Sequence, residues 1–148
     1  MNKTVLLPNE EIFESIRTML EQGLQASFTV TGNSMWPTLV HRRDQVVLEK
    51  PTTPLKKGDV VLFCPMPGQY LLHRIHKRRK GVFFTTGDGN CFRDGQYPNE
   101  AVIGRVVRIR RKGKDISCRS FCYRLCTRLW CLAYPLRPLI KRIKKRDL

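Results

Sequence analysis

Apolar and polar positions alternate in two different periods along this 148-residue chain. From Asn9 to Leu24 the apolar residues Ile12, Phe13, Ile16, Met19, Leu20 and Leu24 recur at helical spacing, with Glu10, Glu11 and Glu14 in the first turns. That pattern predicts an amphipathic helix whose acidic start suits the positive end of the helix dipole. Asn9 after Pro8 is its expected N-cap. Short β-branched and aromatic runs follow at 27–30, 45–49, 60–63, 70–77, 82–85 and 102–110, and Pro51, Pro54, Pro65 and Pro67 punctuate them. Short strands with regular turn signals predict a mainly β, compact and mostly antiparallel fold.

After residue 113 the period returns to helical. Phe121, Leu125, Leu129 and Leu132 share one face with Cys122, Cys126 and Ala133, while Arg124, Thr127 and Cys131 lie opposite. Trp130 and Tyr134 flank the stripe, and Pro135 and Pro138 are expected to break the helix before a basic run. The chain thus divides into an N-terminal helix (1–26), a β domain (27–112) and a basic amphipathic tail (113–148).

Charge sharpens the reading of that tail. The net charge is +16, and the stretch from Ile116 to Leu148 holds nine basic residues against one acid, which is half of it. An amphipathic helix with aromatic flanks and a basic cluster suits an anionic membrane surface, so residues 119–146 are expected to dock there; nucleic acid is the less favoured partner. Met1–Pro8 is too short and too little apolar for a secretory signal, and no run approaches the length of a spanning helix. The expected localisation is peripheral, at the cytoplasmic face of a membrane. Six cysteines at 64, 91, 118, 122, 126 and 131 contain no Cys-x-x-Cys pair, so neither zinc nor any other cofactor is expected.

The candidate chemistry lies in the β domain. Thr31-Gly32-Asn33-Ser34-Met35-Trp36-Pro37-Thr38-Leu39 sets a serine at a Gly-Asn turn. His73-Arg74-Ile75 comes next, and Gly87-Asp88-Gly89-Asn90 and Asp94 follow. A serine hydroxyl needs a base to take its proton, and that base needs a partner to fix its tautomer. Ser34, His73 and one of Asp88 or Asp94 fill those roles in order. On a strand, alternation puts Leu71, His73 and Ile75 on one face and Leu72, Arg74 and His76 on the other, where His76 is expected at the surface. His41 is the remaining histidine.

The ordered set resembles the signal peptidase superfamily of serine peptidases, over roughly Val30 to Val107. The residues that carry the likeness are Gly32, then Ser34-Met35-x-Pro37-Thr38-Leu39, the Gly58-Asp59-Val60-Val61 strand, His73-Arg74-Ile75 and Gly87-Asp88-x-Asn90. Many bacterial members and the LexA-type self-cleaving repressors use a Ser/Lys dyad; here His73 occupies the lysine position, as in the archaeal and endoplasmic-reticulum branch. The resemblance implies Ser34 as nucleophile, His73 as base and Asp94 as its partner, since a second Asp follows six residues after the first in that branch. It implies a supporting role for Asp88, whose carboxylate is expected to bond loop amides. An oxyanion hole would use the Ser34 amide with Gly32 or Asn33. Gly32 replaces a serine that some members carry. Met35 and Trp36 would flank a cleft that binds an extended peptide along β edges. The implied activity is a serine endopeptidase cleaving a leader or signal-like peptide. The competing reading is a non-catalytic β domain whose basic tail binds membrane or nucleic acid.

Overall fold

The structure is a computed structural model that describes residues 9–146. The Pro8–Asn9 cap, the segment 1–8 and the side chains of 144–148 lie outside the described residues. Helix α1 (Asn9–Glu21) leads into β1 (Ala26–Thr29), β2 (Asp44–Glu49), β3 (Val60–Met66), β4 (Gln69–Arg79), β5 (Val82–Thr86), β6 (Gln96–Pro98), β7 (Val102–Arg111) and β8 (Lys114–Ser117). Helices α2 (Phe121–Leu132) and α3 (Arg137–Arg146) close the chain, with one 3₁₀ turn at Tyr134–Leu136 between them.

The fold is mainly β. All eight strands join one antiparallel sheet in the order β1-β2-β7-β3-β4-β5-β6, with β8 on β7. One edge of β7 bonds β2 over 105–111, and the other passes from β3 to β8. The sheet therefore continues to Ser117, past the expected tail boundary at 112. Register shifts at Val47/Leu48, Leu62/Phe63 and Ile75/Lys77 mark bulges, which raise local twist.

The sheet is buried on both faces, and β3 shows why its sequence reads as a continuous apolar run. Val60 and Leu62 enter one core with Ile16 and Leu20 of α1, Val46, Leu48, Val106 and Ile109. Val61 and Phe63 enter a second core with Leu55, Ile75 and Phe83. Burying Ile16 and Leu20 stabilises the α1 contact by about 1.5–3 kcal/mol each. In the second core the Phe63 ring meets Phe83 edge-on at 5.4 Å and lies 4.8 Å from Tyr97.

The C-terminal helices depart from expectation at Pro138. Pro135 does separate two helical segments, but Pro138 sits in the first turn of α3, where its missing N–H has no intrahelical partner to lose. The docked face of α2 is also the more polar one. Tyr123, Thr127 and Trp130 turn inward, and Phe121, Leu125, Leu129 and Leu132 stand 45–79% exposed. Leu136, Leu139 and Ile143 extend that outward apolar row through α3. Among the described residues, no helix is long and apolar enough to cross a membrane.

Candidate active site

Ser34 sits in an irregular turn between β1 and β2. Gly32 enters that turn at φ +82°, a left-handed conformation that glycine adopts freely. Trp36 N–H donates to Asn33 O at 3.1 Å, Leu39 N–H donates to Met35 O at 2.9 Å, and the Trp36–Pro37 peptide is cis. The turn is clamped from outside by the Gly87–Asn90 loop. Gly89 N–H donates to Ser34 O at 2.7 Å. A Cβ on Gly87 would stand 2.5 Å from Ser34 O, and one on Gly89 would stand 2.5 Å from Asn33 O. Both glycines are there because backbone meets backbone.

His73 and Asp94 form a buried pair. Their Nδ1 and Oδ2 atoms are 2.5 Å apart, with the side chains 7% and 9% exposed. Asp94 is held by its own N–H to Thr85 O at 2.9 Å, and Thr85 Oγ1 donates to the same carboxylate oxygen at 2.9 Å. Burial pushes the Asp94 carboxyl up, but the hydrogen bond and charge of His73, together with the Thr85 hydroxyl and the His76 charge, outweigh it and hold Asp94 below the usual carboxylate range. This arrangement leaves the other ring nitrogen of His73 for a reacting group, because Nδ1 is committed.

Asp88 does different work. Arg74, the next residue on β4, grips it through Nε at 2.9 Å and Nη2 at 2.7 Å, and Thr38 Oγ1 donates to it at 2.5 Å. Arg74 also donates to Gly58 O. The Asp88 carboxylate thus ties β4 to the Ser34 turn through side chains, not through loop amides as expected. Its own N–H points at Met35 Sδ, 3.4 Å away. Alternation sends His73 and Arg74 to opposite faces, so one strand supplies both anchors.

The expected oxyanion donors divide. Gly32 N–H is taken by His41 Nδ1 at 2.9 Å, which removes it from the hole. Among the described residues no acceptor takes the Ser34 amide, and no hydrogen bond joins Ser34 Oγ to His73. Catalytic hydrogen bonds are often formed only with substrate in place. Ser34 borders a small apolar groove of about 190 Å³ lined by Phe13, Phe28, Val30, Leu62, Leu71 and Leu72 among others. Leu71 and Leu72 precede His73 on β4, and His73 itself is not part of the groove lining. Met35 is buried in the main core and contributes one wall of this groove. Trp36 is half-buried and lies outside the groove lining.

His76 is not a surface residue. It is half-buried against the C-terminal helices, and burial, followed by the Arg93 charge, lowers its pKa below the ordinary value. Sequence reasoning also gave no role to Arg74, Thr38, Thr85 or His41. The first two stand inside the quoted motifs, which was the available signal. Thr85 and His41 had none. All six cysteines are free thiols, and among the described residues no group of three or more His, Cys, Asp or Glu is placed to hold a metal. No protein-family model matches the chain, and no curated protein matches it.

Proposed function

We propose that the protein is a serine endopeptidase of the signal-peptidase type, acting through Ser34, His73 and Asp94 on a leader or signal-like peptide. The observation that carries this reading is the buried His73–Asp94 pair, whose histidine stands on β4 just after two residues that share a groove with Ser34. In the reaction, Ser34 Oγ attacks the scissile carbonyl carbon as His73 takes its proton. The tetrahedral adduct is met by the free Ser34 N–H. Collapse breaks the C–N bond, and His73 returns the proton to the leaving amine. Water then attacks the acyl-enzyme by the same route. The groove's size suits one small apolar side chain next to the cut.

The outward apolar row on α2 and α3, bordered by Arg128, Lys141 and Arg142, supports docking on an anionic membrane surface. Peptide substrate would then be met at that surface. Co-sedimentation with phosphatidylglycerol vesicles, lost in a Leu129→Asp/Leu132→Asp variant, is the expected result; equal binding by the variant refutes the docking.

The test of the chemistry is labelling by a serine-reactive phosphonate, in the wild type and in Ser34→Ala and His73→Ala. Labelling that requires both residues is expected. Wild-type protein inert to two warheads of different shape, with vesicles present, refutes the peptidase reading.

A further inference from the structure

A second, larger cavity of about 510 Å³ lies between the sheet and the C-terminal helices. Its lining is cationic: Lys57, Arg74, Arg93, Arg128 and Arg137 against one acid, Asp88. That acid is consumed, because Arg74 and Thr38 already saturate its carboxylate. The remaining positive charge has no protein counter-ion within the cavity wall.

Three of the lining residues also hold a buried polar atom with no hydrogen bond among the described residues: His76 Nε2, Thr86 Oγ1 and Arg137 Nε. Thr86 and Arg137 are each only 4% exposed. A buried polar atom without a partner costs about 1–3 kcal/mol; Thr86 Oγ1 and Arg137 Nε are both donors, and His76 Nε2 donates in one tautomer, so the cavity calls for an acceptor-bearing occupant. The guanidinium groups are pre-positioned for it. Arg93 stacks on Tyr134 at 4.8 Å, and Arg137 stacks on Trp130 at 5.2 Å and on Tyr134 at 5.0 Å.

We propose that this cavity binds a phosphate-bearing ligand, with the anion held by Arg137, Arg93 and Arg128 and hydrogen-bonded by Thr86 and His76. Arginine forks match phosphate oxygens in pairs, and a multiply charged tetrahedral anion offers enough acceptors for all of these donors. The volume falls in the range of small-molecule sites, about 300–1,000 Å³, which leaves room for an organic substituent beyond the phosphate. Cys131 and Leu132 give that substituent an apolar wall, and Leu132 is also part of the exposed row. The phosphate can therefore come from a lipid headgroup or from a soluble phosphoester.

Calorimetric titration of the whole protein with inorganic phosphate, in chloride buffer of constant ionic strength, tests the site. Saturable one-to-one binding is expected. Thr86→Val and His76→Ala should each weaken it by about tenfold or more, for the loss of one hydrogen bond to a charged group. Ser34→Ala should bind as the wild type does, which separates this site from the peptidase reading. Ligand-free melting curves show that each variant is folded. Absence of saturable binding, or affinity unchanged in both Thr86→Val and His76→Ala, overturns the proposal. Vesicles of phosphatidic acid then assign the source. Vesicle binding that inorganic phosphate displaces marks a lipid headgroup, and vesicle binding indifferent to phosphate beside a calorimetric site marks a soluble phosphoester.

Discussion

Replacing Asp94 by Asn separates orientation of His73 from mere packing. The side chains are nearly isosteric, so Thr85 Oγ1 keeps a partner and the buried space stays filled. What disappears is the negative charge 2.5 Å from His73 Nδ1. At an effective dielectric of about 20, unit charges about 4 Å apart attract by about 4 kcal/mol, which is the order of the support lost by an imidazolium in the transition state. At 1.36 kcal/mol per decade that amounts to about a thousandfold in rate. An Asn that turns its NH₂ toward Nδ1 adds to the loss by fixing the tautomer that cannot accept a proton from serine. The assay is the second-order rate of phosphonate labelling at Ser34, followed by intact-protein mass. Thermal melting of the same samples controls for folding. A folded Asp94→Asn protein that labels within tenfold of the wild type refutes the role given to Asp94.

Gly89→Ala should damage the site from the outside, because its Cβ would meet Asn33 O at 2.5 Å and Trp36 O at 2.9 Å, both backbone atoms that cannot swing aside. We expect a destabilisation of about 1–3 kcal/mol in denaturant melts together with slower labelling, while Gly95→Ala, with nothing within 4 Å, changes neither. Asp44 should govern acid stability. Burial opposes its charge, but hydrogen bonds from Arg43, Arg111 and the Val40 amide outweigh that and lower its pKa to about 2. Because the folded value is the depressed one, its contribution of about 2 kcal/mol is present above about pH 4 and fades as pH falls toward 2. Urea midpoints measured down that range should drop in the wild type and stay flatter in Asp44→Asn.

Much of the fold was legible because its strands carry their own signals. All six expected strands form, each within a few residues of its expected limits. The two that were missed are the ones without an apolar run. β6 is three residues ending in Pro98, and β8 is Lys-Asp-Ile-Ser after a turn in which Lys112 and Gly113 both take positive φ. A Lys-Gly pair is a weak hairpin signal beside Asn-Gly. For His76, alternation gave the correct face, but a face opposite His73 is a solvent face only where nothing covers it, and the C-terminal helices do. Likewise the periodicity of α2 located its apolar stripe without saying which side would dock. Hydrophobic burial does not decide that side here. Trp130 Nε1 donates to Asp88 O at 3.1 Å, Tyr134 OH donates to Cys91 O at 3.2 Å, and Arg137 Nη1 donates to Gly87 O and Asn90 O. No periodicity measure encodes those bonds.

The same bonds explain why the C-terminal helices belong to the structure of the site. Residues 87–91 form a short loop whose peptide groups face two ways. Toward the Ser34 turn it presents N–H groups and one carboxylate: Gly89 N–H to Ser34 O, Asp88 N–H to Met35 Sδ, and the Asp88 carboxylate to Thr38. Toward the helices it presents the carbonyls of Gly87, Asp88, Asn90 and Cys91, every one of them taken by Trp130, Tyr134 or Arg137. A glycine-rich loop has little conformational preference of its own, so its shape is set by what bonds it from each side. With the polar face of α2 engaged in this way, the apolar row is left outside, and turning it inward would break the carbonyl contacts that hold the loop. The exposed leucines are thus the consequence of a helix recruited to brace a loop, which leaves their surface available to another partner.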